Sequence, residues 1–405
     1  HVVDRIDGVE RTLNQPAKYM GNPIMIPLYP WEGRLELYGT VLREPSGEFR
    51  MWYTGMGGMG VPPLSWSGPS VPAWKAMSTG SKARAKSADP SNMLYSICYA
   101  TSNDGVFWDR PPLGLVDYKG SKDNNMVIPD ACPANVIIDP RESNPDRLYK
   151  SLFFEARDPS GTPNMGDGVS VAFSPDGLRW TKYEGNPVIT RASDAHTLLG
   201  WDDLHGLYVS YCRPSVHEGN MLRRIGRSVS RDFMDWTEPE DVLVPDDQDP
   251  EGMQFYSMPA FKYEEYYLGQ IHAYRTDPEA PHVRFAGFVD VQLAASRDGI
   301  AWQRLGDRKP FIPNGPPGSI DAAEIYVAMA PVVMGDELWF YYSPGYMEHG
   351  VTGRSGPICL AKLRLDGFVS VDAGDEIGTL VTKPFLCGGG RLSINAAAGG
   401  GMVGL

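Results

Sequence analysis

The chain has 405 residues, a length that suggests two or three domains or a single architecture built from repeats. Its 45 Gly and 35 Pro residues, with 11% aromatic and 21% charged side chains, indicate short strands joined by tight turns and argue against a coiled coil, a helical bundle or a disordered chain. A net charge of −13 gives no basic face for nucleic acid, and no apolar run approaches the roughly 20 residues of a membrane helix. We therefore expect neither nucleic acid nor a membrane as a partner.

A Ser-x-Asp-Gly-x-x-Trp phrase recurs along the chain, each time after an alternating apolar strand. Asp-Gly allows a tight turn between antiparallel strands because Gly adopts positive φ without steric cost, and the Trp supplies an apolar plug between neighbouring sheets. The period of roughly 65 residues fits a four-stranded propeller blade with generous loops. The copies are Ser102–Trp108, Ser174–Trp180, Ser230–Trp236 with Phe233 in place of Gly, Ser296–Trp302, and a shortened Leu365–Ser370.

Two strands are predicted before each copy, a strand A and an aromatic strand B, while strands C and D flank the turn. Strand A is expected at 37–42, 135–138, 197–201, 254–261 and 326–333, and strand B at 49–53, 148–154, 207–211, 266–274 and 338–342. The pattern predicts an all-β fold, a five-bladed β-propeller of four-stranded antiparallel blades, as one domain over 21–385. Residues 1–20 are an N-terminal extension, 56–93 an insertion in blade one that is either a lid or an uninvolved surface loop, and 386–405 a tail or a closing strand.

The five cysteines lack CxxC spacing and are predicted to be buried free thiols. The compartment is left open, with a periplasmic or secreted location favoured over a cytoplasmic one.

Ligand chemistry is expected at one end of the propeller channel, where the D-to-A connections and the B-to-C loops emerge together. The polar residues just before each strand A are therefore the first candidates. They are Glu32, Asp130 with Asn135, Asp194 with His196, Gln254 with Tyr256, and Asp321 with Glu324. The second loop set adds Arg157, Arg213, His217, Tyr274, Tyr346 and His349.

The turn phrases, the openings Asn22-Pro23-Ile24 and Asn186-Pro187-Val188, and the acidic residues at the inner strand starts resemble the five-bladed propeller glycoside hydrolases, both invertase-like and arabinanase/xylosidase-like. The resemblance covers about residues 20–385. It implies a carboxylate in blade one as base or nucleophile, an orienting Asp in blade two and a Glu in blade three as the acid. In this sequence Glu32 and Asp194 stand nearest to the first and last of these positions, and we expect carboxylates of blades one, three and five to share the chemistry.

Glycoside cleavage needs one protonated carboxyl group and one ionised one, and a partly desolvated channel mouth can separate their proton affinities. The ordered catalytic candidates are Glu324, Glu32, Asp194 and Asp321. Binding of sugar hydroxyls, or of a carboxylate or sulfate substituent, is expected from His196, Arg157, Arg213, Gln254, Tyr256 and Tyr326. Stacking on sugar faces is expected from Trp31, Phe255, Trp66 and Trp74.

The expected partner is a carbohydrate, cleaved from its end without a cofactor. If the acidic channel holds an ion, calcium or sodium is favoured over a transition metal, because HxH and HExxH spacings are absent. Two alternatives stay open: a non-catalytic glycan-binding propeller, and a glycoside phosphorylase that holds phosphate through arginines.

Overall fold

A computed structural model describes residues 3–57, 95–156, 168–214, 223–276, 286–349 and 356–384, together with 386, 389, 394–399 and 402–404. Arg157, Trp66 and most of the predicted insertion at 56–93 lie outside the described residues. The described residues form β-strands, with short 3-10 turns at Pro145–Arg147 and Gly306–Arg308 and with none of them in an α-helix. The predicted all-β class is confirmed.

Three short strands lie near the N-terminus, Val3–Asp7 (β1), Val9–Leu13 (β2) and Ala17–Lys18 (β3). Three four-stranded antiparallel sheets follow, each with its strands in chain order. Group one consists of β4 (Leu35–Arg43), β5 (Phe49–Gly55), β6 (Ser96–Ser102) and β7 (Met126–Pro129). Group two consists of β8 (Ala131–Ile138), β9 (Tyr149–Glu155), β10 (Val169–Ser174) and β11 (Thr181–Lys182). Group three consists of β12 (Ala192–Asp202), β13 (Leu207–Pro214), β14 (Ile225–Ser230) and β15 (Glu240–Leu243).

The next strands form one eleven-stranded sheet made of two antiparallel groups that a parallel pair, Val289 with Glu324, joins together. Group four consists of β16 (Met253–Phe255), β17 (Ala260–Tyr263), β18 (Tyr266–Thr276), β19 (Gly287–Ser296), β20 (Gln303–Arg304) and β21 (Pro310–Ile312). Group five consists of β22 (Glu324–Val327), β23 (Val332–Met334), β24 (Glu337–Gly345), β25 (Cys359–Arg364) and β3. In groups one to three, the strands predicted as A and B are the first two strands. In groups four and five, the predicted strand A is divided between two short strands, β16 with β17 and β22 with β23.

The fourth position of group five differs from the prediction. The strand expected after Asp366-Gly367 does form, as Val369–Ala373 (β26), but it pairs with β2 instead of β25. The edge of β25 is occupied by β3, and Asn22 secures this edge because its side chain donates to the Leu360 carbonyl at 2.9 Å and accepts from the Leu360 amide at 2.8 Å. Part of the predicted N-terminal extension therefore completes the last group.

The chain divides into two compact units, one spanning Leu13–Phe368 and one made of His1–Thr12 with Val369–Leu405. The smaller unit contains the antiparallel pair of β1 with β27 (Thr379–Thr382) and most of the pair of β2 with β26. The described residues beyond 384 form no strand, so a closing strand within 386–405 is not seen among them.

The five groups are hydrogen-bonded to one another through buried polar groups that lie on, or next to, their first strands. In each case a side chain of one group meets the backbone of the next, and the last group meets the first. These bonds join Thr40 Oγ1 to the Val136 carbonyl (2.8 Å), Asn135 Nδ2 to the His196 carbonyl (3.0 Å), Thr197 Oγ1 to the Met258 carbonyl (2.9 Å), the Val327 amide to His272 Nε2 (3.0 Å) and the Leu37 amide to Ser343 Oγ (3.0 Å). The contacts therefore form a closed cycle.

The Ser-x-Asp-Gly-x-x-Trp phrase forms the same hydrogen-bonded turn in its four full copies. In the second copy Ser174 Oγ accepts from the Gly177 amide at 2.9 Å, and Asp176 Oδ1 accepts from two amides later in the turn. The carbonyl of Gly177 accepts a hydrogen bond from Trp52 Nε1 of group one at 2.7 Å. The turn thus fastens one group to the group before it, while the Trp of the phrase is buried in the third copy and half-buried in the others.

Carboxylates at the opposite ends of the innermost strands also connect neighbouring groups. Asp139, at the end of β8, accepts a hydrogen bond from the hydroxyl of Tyr208 in group three and pairs with Lys150 Nζ at 3.0 Å. Asp202, at the end of β12, accepts from the hydroxyl of Tyr267 in group four. Each carboxylate is nearly fully buried, so these contacts hold the groups together where solvent competes little.

Candidate functional site

Polar side chains gather where the innermost strands begin. Glu36 belongs to β4, Asp194 to β12 and Glu324 to β22, while Tyr256 follows β16 directly. Since these strands run in the same direction around the cycle, their first residues reach the same end. Three carboxylates therefore lie at or near the starts of these first strands.

Glu324 is the buried anchor of this site. Its Oε1 atom accepts a hydrogen bond from the Tyr326 hydroxyl at 2.8 Å and lies 2.9 Å from His349 Nδ1, while its Oε2 atom lies 3.2 Å from Arg34 Nη2. The Glu324 side chain is 0% exposed. A group this enclosed can position its neighbours, but substrate atoms cannot reach it in this arrangement.

Glu36 shares the same guanidinium. Its Oε1 atom lies 3.2 Å from Arg34 Nε, and its side chain is 14% exposed against 0% for Arg34. Burial alone would lower the pKa of Arg34, but the carboxylates of Glu324 and Glu36 outweigh burial and raise that pKa above its ordinary value. Arg34 is therefore a fixed cation between two carboxylates, of which only Glu36 faces solvent.

Asp194 is the most exposed carboxylate of the three. Its side chain is 46% exposed and forms an ion pair with Arg213, whose side chain is 11% exposed. Arg213 Nε also donates to Ser193 Oγ at 2.7 Å. These two contacts hold the guanidinium in one orientation, and the carboxylate of Asp194 stays open to solvent beside it.

Aromatic rings fill the space between the carboxylates. The ring centroid of Tyr38 lies 4.9 Å from that of Tyr326 and 6.2 Å from that of Tyr256, while Tyr256 lies 4.9 Å from the ring of His349. Burial, then neighbouring phenols and the carboxylates of Glu36 and Glu324, raise the pKa of Tyr38 well above its ordinary value. Burial likewise raises the pKa of Tyr256, so Tyr38 and Tyr256 are neutral hydroxyl donors at physiological pH.

Gln254 of group four and Arg223, just before β14 of group three, lie next to Tyr256 in the same cluster. Arg223 Nη1 donates to Gln254 Oε1 at 2.9 Å, and the guanidinium lies over the rings of Tyr256 and Tyr274 at 5.6 and 4.9 Å. Planar rings, a carboxamide and guanidinium groups are the side chains that recognise polar ligands with hydroxyl groups. The arrangement can hold such a ligand against two accessible carboxylates.

Glu32, predicted as the carboxylate of group one, lies elsewhere. It is 0% exposed, and its oxygens accept hydrogen bonds from the Tyr53 hydroxyl, from Arg110 Nη1 at 2.6 Å and from the Leu28 amide at 3.1 Å. None of these partners belongs to the cluster around Glu324. Because a fully buried, paired carboxylate cannot meet a substrate, Glu36 replaces Glu32 as our candidate.

Asp321 is likewise placed in a structural ion pair. Its Oδ2 atom lies 2.5 Å from Lys18 Nζ of β3, and its Oδ1 atom accepts a hydrogen bond from Ser319 Oγ at 2.7 Å. The ion pair joins the N-terminal strand to the group that it completes. Asp321 therefore holds β3 against group five, although it lies only three positions from Glu324 in the sequence.

Three further candidates for ligand binding are buried. His196 is 0% exposed, and burial lowers its pKa to about 4, so it is a neutral imidazole in the interior. Trp31 packs on Tyr29 at 4.8 Å and its Nε1 atom donates to Asn125 Oδ1 at 2.9 Å, while Phe255 is fully buried. None of these three rings presents a free face for a sugar.

The structure brings together several residues that the sequence argument did not select, namely Arg34, Glu36, Tyr38 and Arg223. A usable signal existed for two of them. Glu36 and Tyr38 alternate with the buried Leu35 and Leu37 in β4, so a strand begun at residue 35 would have pointed both toward the ligand side. Of the other predicted binding residues, Arg213, Gln254, Tyr256 and Tyr326 are in the cluster, while Arg157 and Trp66 lie outside the described residues.

Among the described residues, no group of three or more His, Cys, Asp and Glu side chains is placed to hold a metal ion. The calcium or sodium ion considered for the channel stays a prediction. The described residues also contain no helix long and apolar enough to cross a membrane.

No protein-family model and no curated protein sequence matches the chain. Solved structures do match it. A glycoside hydrolase aligns with a TM-score of 0.56 at 15% identity, over 86% of this chain and 92% of that chain. A structure from the GH130 family of mannoside phosphorylases, which contains glycoside hydrolases that target β-1,2-mannosidic linkages in Candida mannan, aligns with a TM-score of 0.55 at 14% identity, over 87% and 94%. A glycosyl hydrolase from Bacteroides ovatus gives 0.53 and 14%, over 88% and 97%. The chain therefore shares the fold of a group of glycoside hydrolases, and the resemblance noted in the sequence is confirmed at the level of the fold.

Proposed function

We propose that the protein is a glycoside hydrolase that cleaves a terminal sugar with Glu36 and Asp194 as its two reacting carboxyl groups. The observation that carries the proposal is that both carboxylates lie near the same phenol, since, besides burial, each of them raises the pKa of Tyr256. Each is partly exposed and each lies beside a buried arginine. The buried Glu324 pairs with one of these arginines, Arg34. The shared fold with glycoside hydrolases supports the proposal.

We infer that the five strand groups are five blades of one propeller. The cycle of hydrogen bonds between neighbouring groups supports a closed ring, since each group bonds to the next and the fifth to the first. In this reading β3 closes the ring from the N-terminal side. The carboxylates then come from blades one, three and five.

The reaction needs little besides these two groups. One carboxyl group donates its proton to the glycosidic oxygen as the bond from the anomeric carbon to that oxygen breaks. The other removes a proton from a water that attacks the anomeric carbon, or it attacks that carbon itself and forms a glycosyl ester. In the second case a water, deprotonated by the first carboxylate, then breaks the ester bond. By either route the sugar leaves with a new hydroxyl group at the anomeric carbon. The tyrosine hydroxyls of the cluster, neutral at working pH, are suited to hold the sugar hydroxyls during these steps.

The test is a set of isosteric variants assayed on aryl glycosides and on oligosaccharides. Glu36→Gln and Asp194→Asn are each expected to lower kcat/KM by about a hundredfold or more on the substrate that wild type cleaves. Glu240→Gln, which removes an exposed carboxylate on β15, is the matched control and is expected to match wild type. The variant of the proton donor should recover part of its rate on substrates with activated phenol leaving groups, which assigns the two roles.

The alternatives give different results. If wild type binds a glycan without cleaving any substrate, the protein is a glycan-binding propeller. If cleavage requires inorganic phosphate and yields a sugar phosphate, it is a phosphorylase. If hydrolysis proceeds and both variants keep wild-type rates, the assignment of Glu36 and Asp194 is wrong.

A further inference from the structure

The charges of the proposed site are divided unevenly between its two sides. On the side of groups one and five, the cation Arg34 lies between two carboxylates, Glu36 and Glu324. On the side of groups three and four, Arg213 and Arg223 lie near one carboxylate of the cluster, Asp194. We call Arg213 and Arg223 the arginine pair. The site therefore has an anionic side and a cationic side.

The arginine pair is built around one aromatic ring. The guanidinium carbon of Arg213 lies 5.0 Å from the ring centroid of Tyr256, and that of Arg223 lies 5.6 Å from the same centroid. Arg223 also covers Tyr274 at 4.9 Å, and Gln254 holds its Nη1 atom. Two planar cations are thus held in fixed positions instead of extending into solvent.

Placing these two like charges together has an energetic cost. Burial and the neighbouring charge of Arg213 lower the pKa of Arg223, which is the signature of a cation held against repulsion. The protein as a whole carries a net charge of −13, so the arginine pair forms a locally positive region on a negatively charged protein. A second anion, added to Asp194, would relieve the repulsion.

We propose that the arginine pair is a subsite for an oxyanion carried by the glycan or delivered with it. The inference rests on the proposed function, since it places an anionic group beside the sugar that Glu36 and Asp194 act upon. Guanidinium groups recognise carboxylate, sulfate and phosphate through paired hydrogen bonds, and they do so with defined geometry when the arginine is held in place. The substrate class is then a uronic acid glycan or a sulfated glycan, and inorganic phosphate is the alternative source of the same chemistry.

The experiment compares binding of glycans that differ only in charge. The probes are oligogalacturonides with their carboxyl-reduced counterparts, chondroitin sulfate oligosaccharides with their desulfated counterparts, and inorganic phosphate alone, each titrated by calorimetry. Wild type is expected to bind one of the anionic probes about tenfold to a hundredfold more tightly than its neutral counterpart. Arg223→Gln is expected to remove that preference, and Arg223→Lys to restore part of it.

Arg224→Gln is the matched control. Arg224 is the next residue in the chain, but its Nε atom pairs with Asp241 at 2.7 Å, away from the arginine pair. This variant should keep the preference of wild type. Thermal unfolding of every variant shows whether a lost preference comes from a lost fold.

The outcomes separate this inference from the proposed function. If wild type shows no preference in any pair and does not bind phosphate, or if Arg223→Gln keeps the preference, the anion subsite is refuted even where a neutral glycoside is cleaved. If the preference depends on Arg223 and no glycan is cleaved, the subsite stands and the hydrolase proposal fails. If phosphate binds, neither anionic glycan is preferred over its neutral counterpart, and Arg223→Gln loses the phosphate binding, then the anion is phosphate and not a charged sugar.

Discussion

The turn at Gly177 offers a direct test of how neighbouring groups are fastened. Gly177 has a φ of +76°, and a Cβ atom added there would lie 2.7 Å from Trp52 Cζ2 and 3.0 Å from Tyr149 Cδ1. Gly114 has a similar φ of +71°, but a Cβ atom there would meet nothing within 4 Å. The two glycines therefore share their backbone strain and differ in their surroundings.

The expected loss of stability follows from these distances. An alanine in the left-handed region costs about 1–2 kcal/mol at either position. At Gly177 the extra carbon must also displace Trp52, which adds about 1–3 kcal/mol of overpacking and weakens the hydrogen bond from Trp52 Nε1 to the Gly177 carbonyl. We expect Gly177→Ala to lower the free energy of unfolding by about 2–5 kcal/mol and Gly114→Ala by about 1–2 kcal/mol.

Urea unfolding followed by tryptophan fluorescence measures both losses, because the transition midpoint shifts in proportion to stability when the slope is unchanged. A double variant with Trp52→Phe should reduce the difference between the two glycines, since the smaller ring leaves room for the added carbon. If Gly177→Ala and Gly114→Ala destabilise the protein equally, the contact between groups one and two does not depend on close packing at this turn, and our account of the repeated phrase is refuted.

Two further predictions concern buried carboxylates. Glu32→Gln should lower the free energy of unfolding by about 3–5 kcal/mol, because it leaves the Arg110 cation buried without its counter-charge. The folded fraction of this variant should keep a kcat near that of wild type. If the variant is instead stable but inactive, Glu32 is again a candidate for the catalytic site. For Asp139 and Asp202, burial alone would raise the pKa, but hydrogen bonds from tyrosine hydroxyls and from the Lys or His beside each carboxylate lower it below the ordinary value. Because these carboxyls hold their protons less tightly in the folded state, their stabilisation is present above about pH 4 and is lost as the pH falls through their folded values. Melting temperatures between pH 2 and 6 should therefore fall less steeply for Asp139→Asn than for wild type, and parallel curves would contradict this.

The repeat could be predicted because its signals are local. Alternating apolar strands and Asp-Gly turns depend on neighbouring residues, and the first strands of every group lie within a few residues of the expected positions. The pairing of β3 with β25 could not be predicted in this way, since its partners are far apart in the chain and β3 has only two residues.

Part of the site could be predicted because the starts of strands are also marked by local sequence signals. The starts of the innermost strands were expected to carry Asp194, Tyr256 and Glu324, and the structure brings these residues together. The strand of group one was expected to begin at Leu37, and that error of two residues hid Glu36. Glu32 was selected instead because its partner Arg110 is 78 positions away, and no local pattern reveals an ion pair at that separation.

The position of β3 in the last group has a consequence for biosynthesis. Asn22 and Leu360, which bond at this edge, are 338 positions apart, so the last sheet cannot be completed on the ribosome until nearly the whole domain has been made. Until then the N-terminal segment has no partner strand, and the edge strand that it covers has not been synthesised. Contacts of such long sequence separation slow folding because the chain must be ordered before they form. Until this pairing forms, β3 and the edge of β25 both lack their partner, and unpaired strand edges of this kind are where premature association begins.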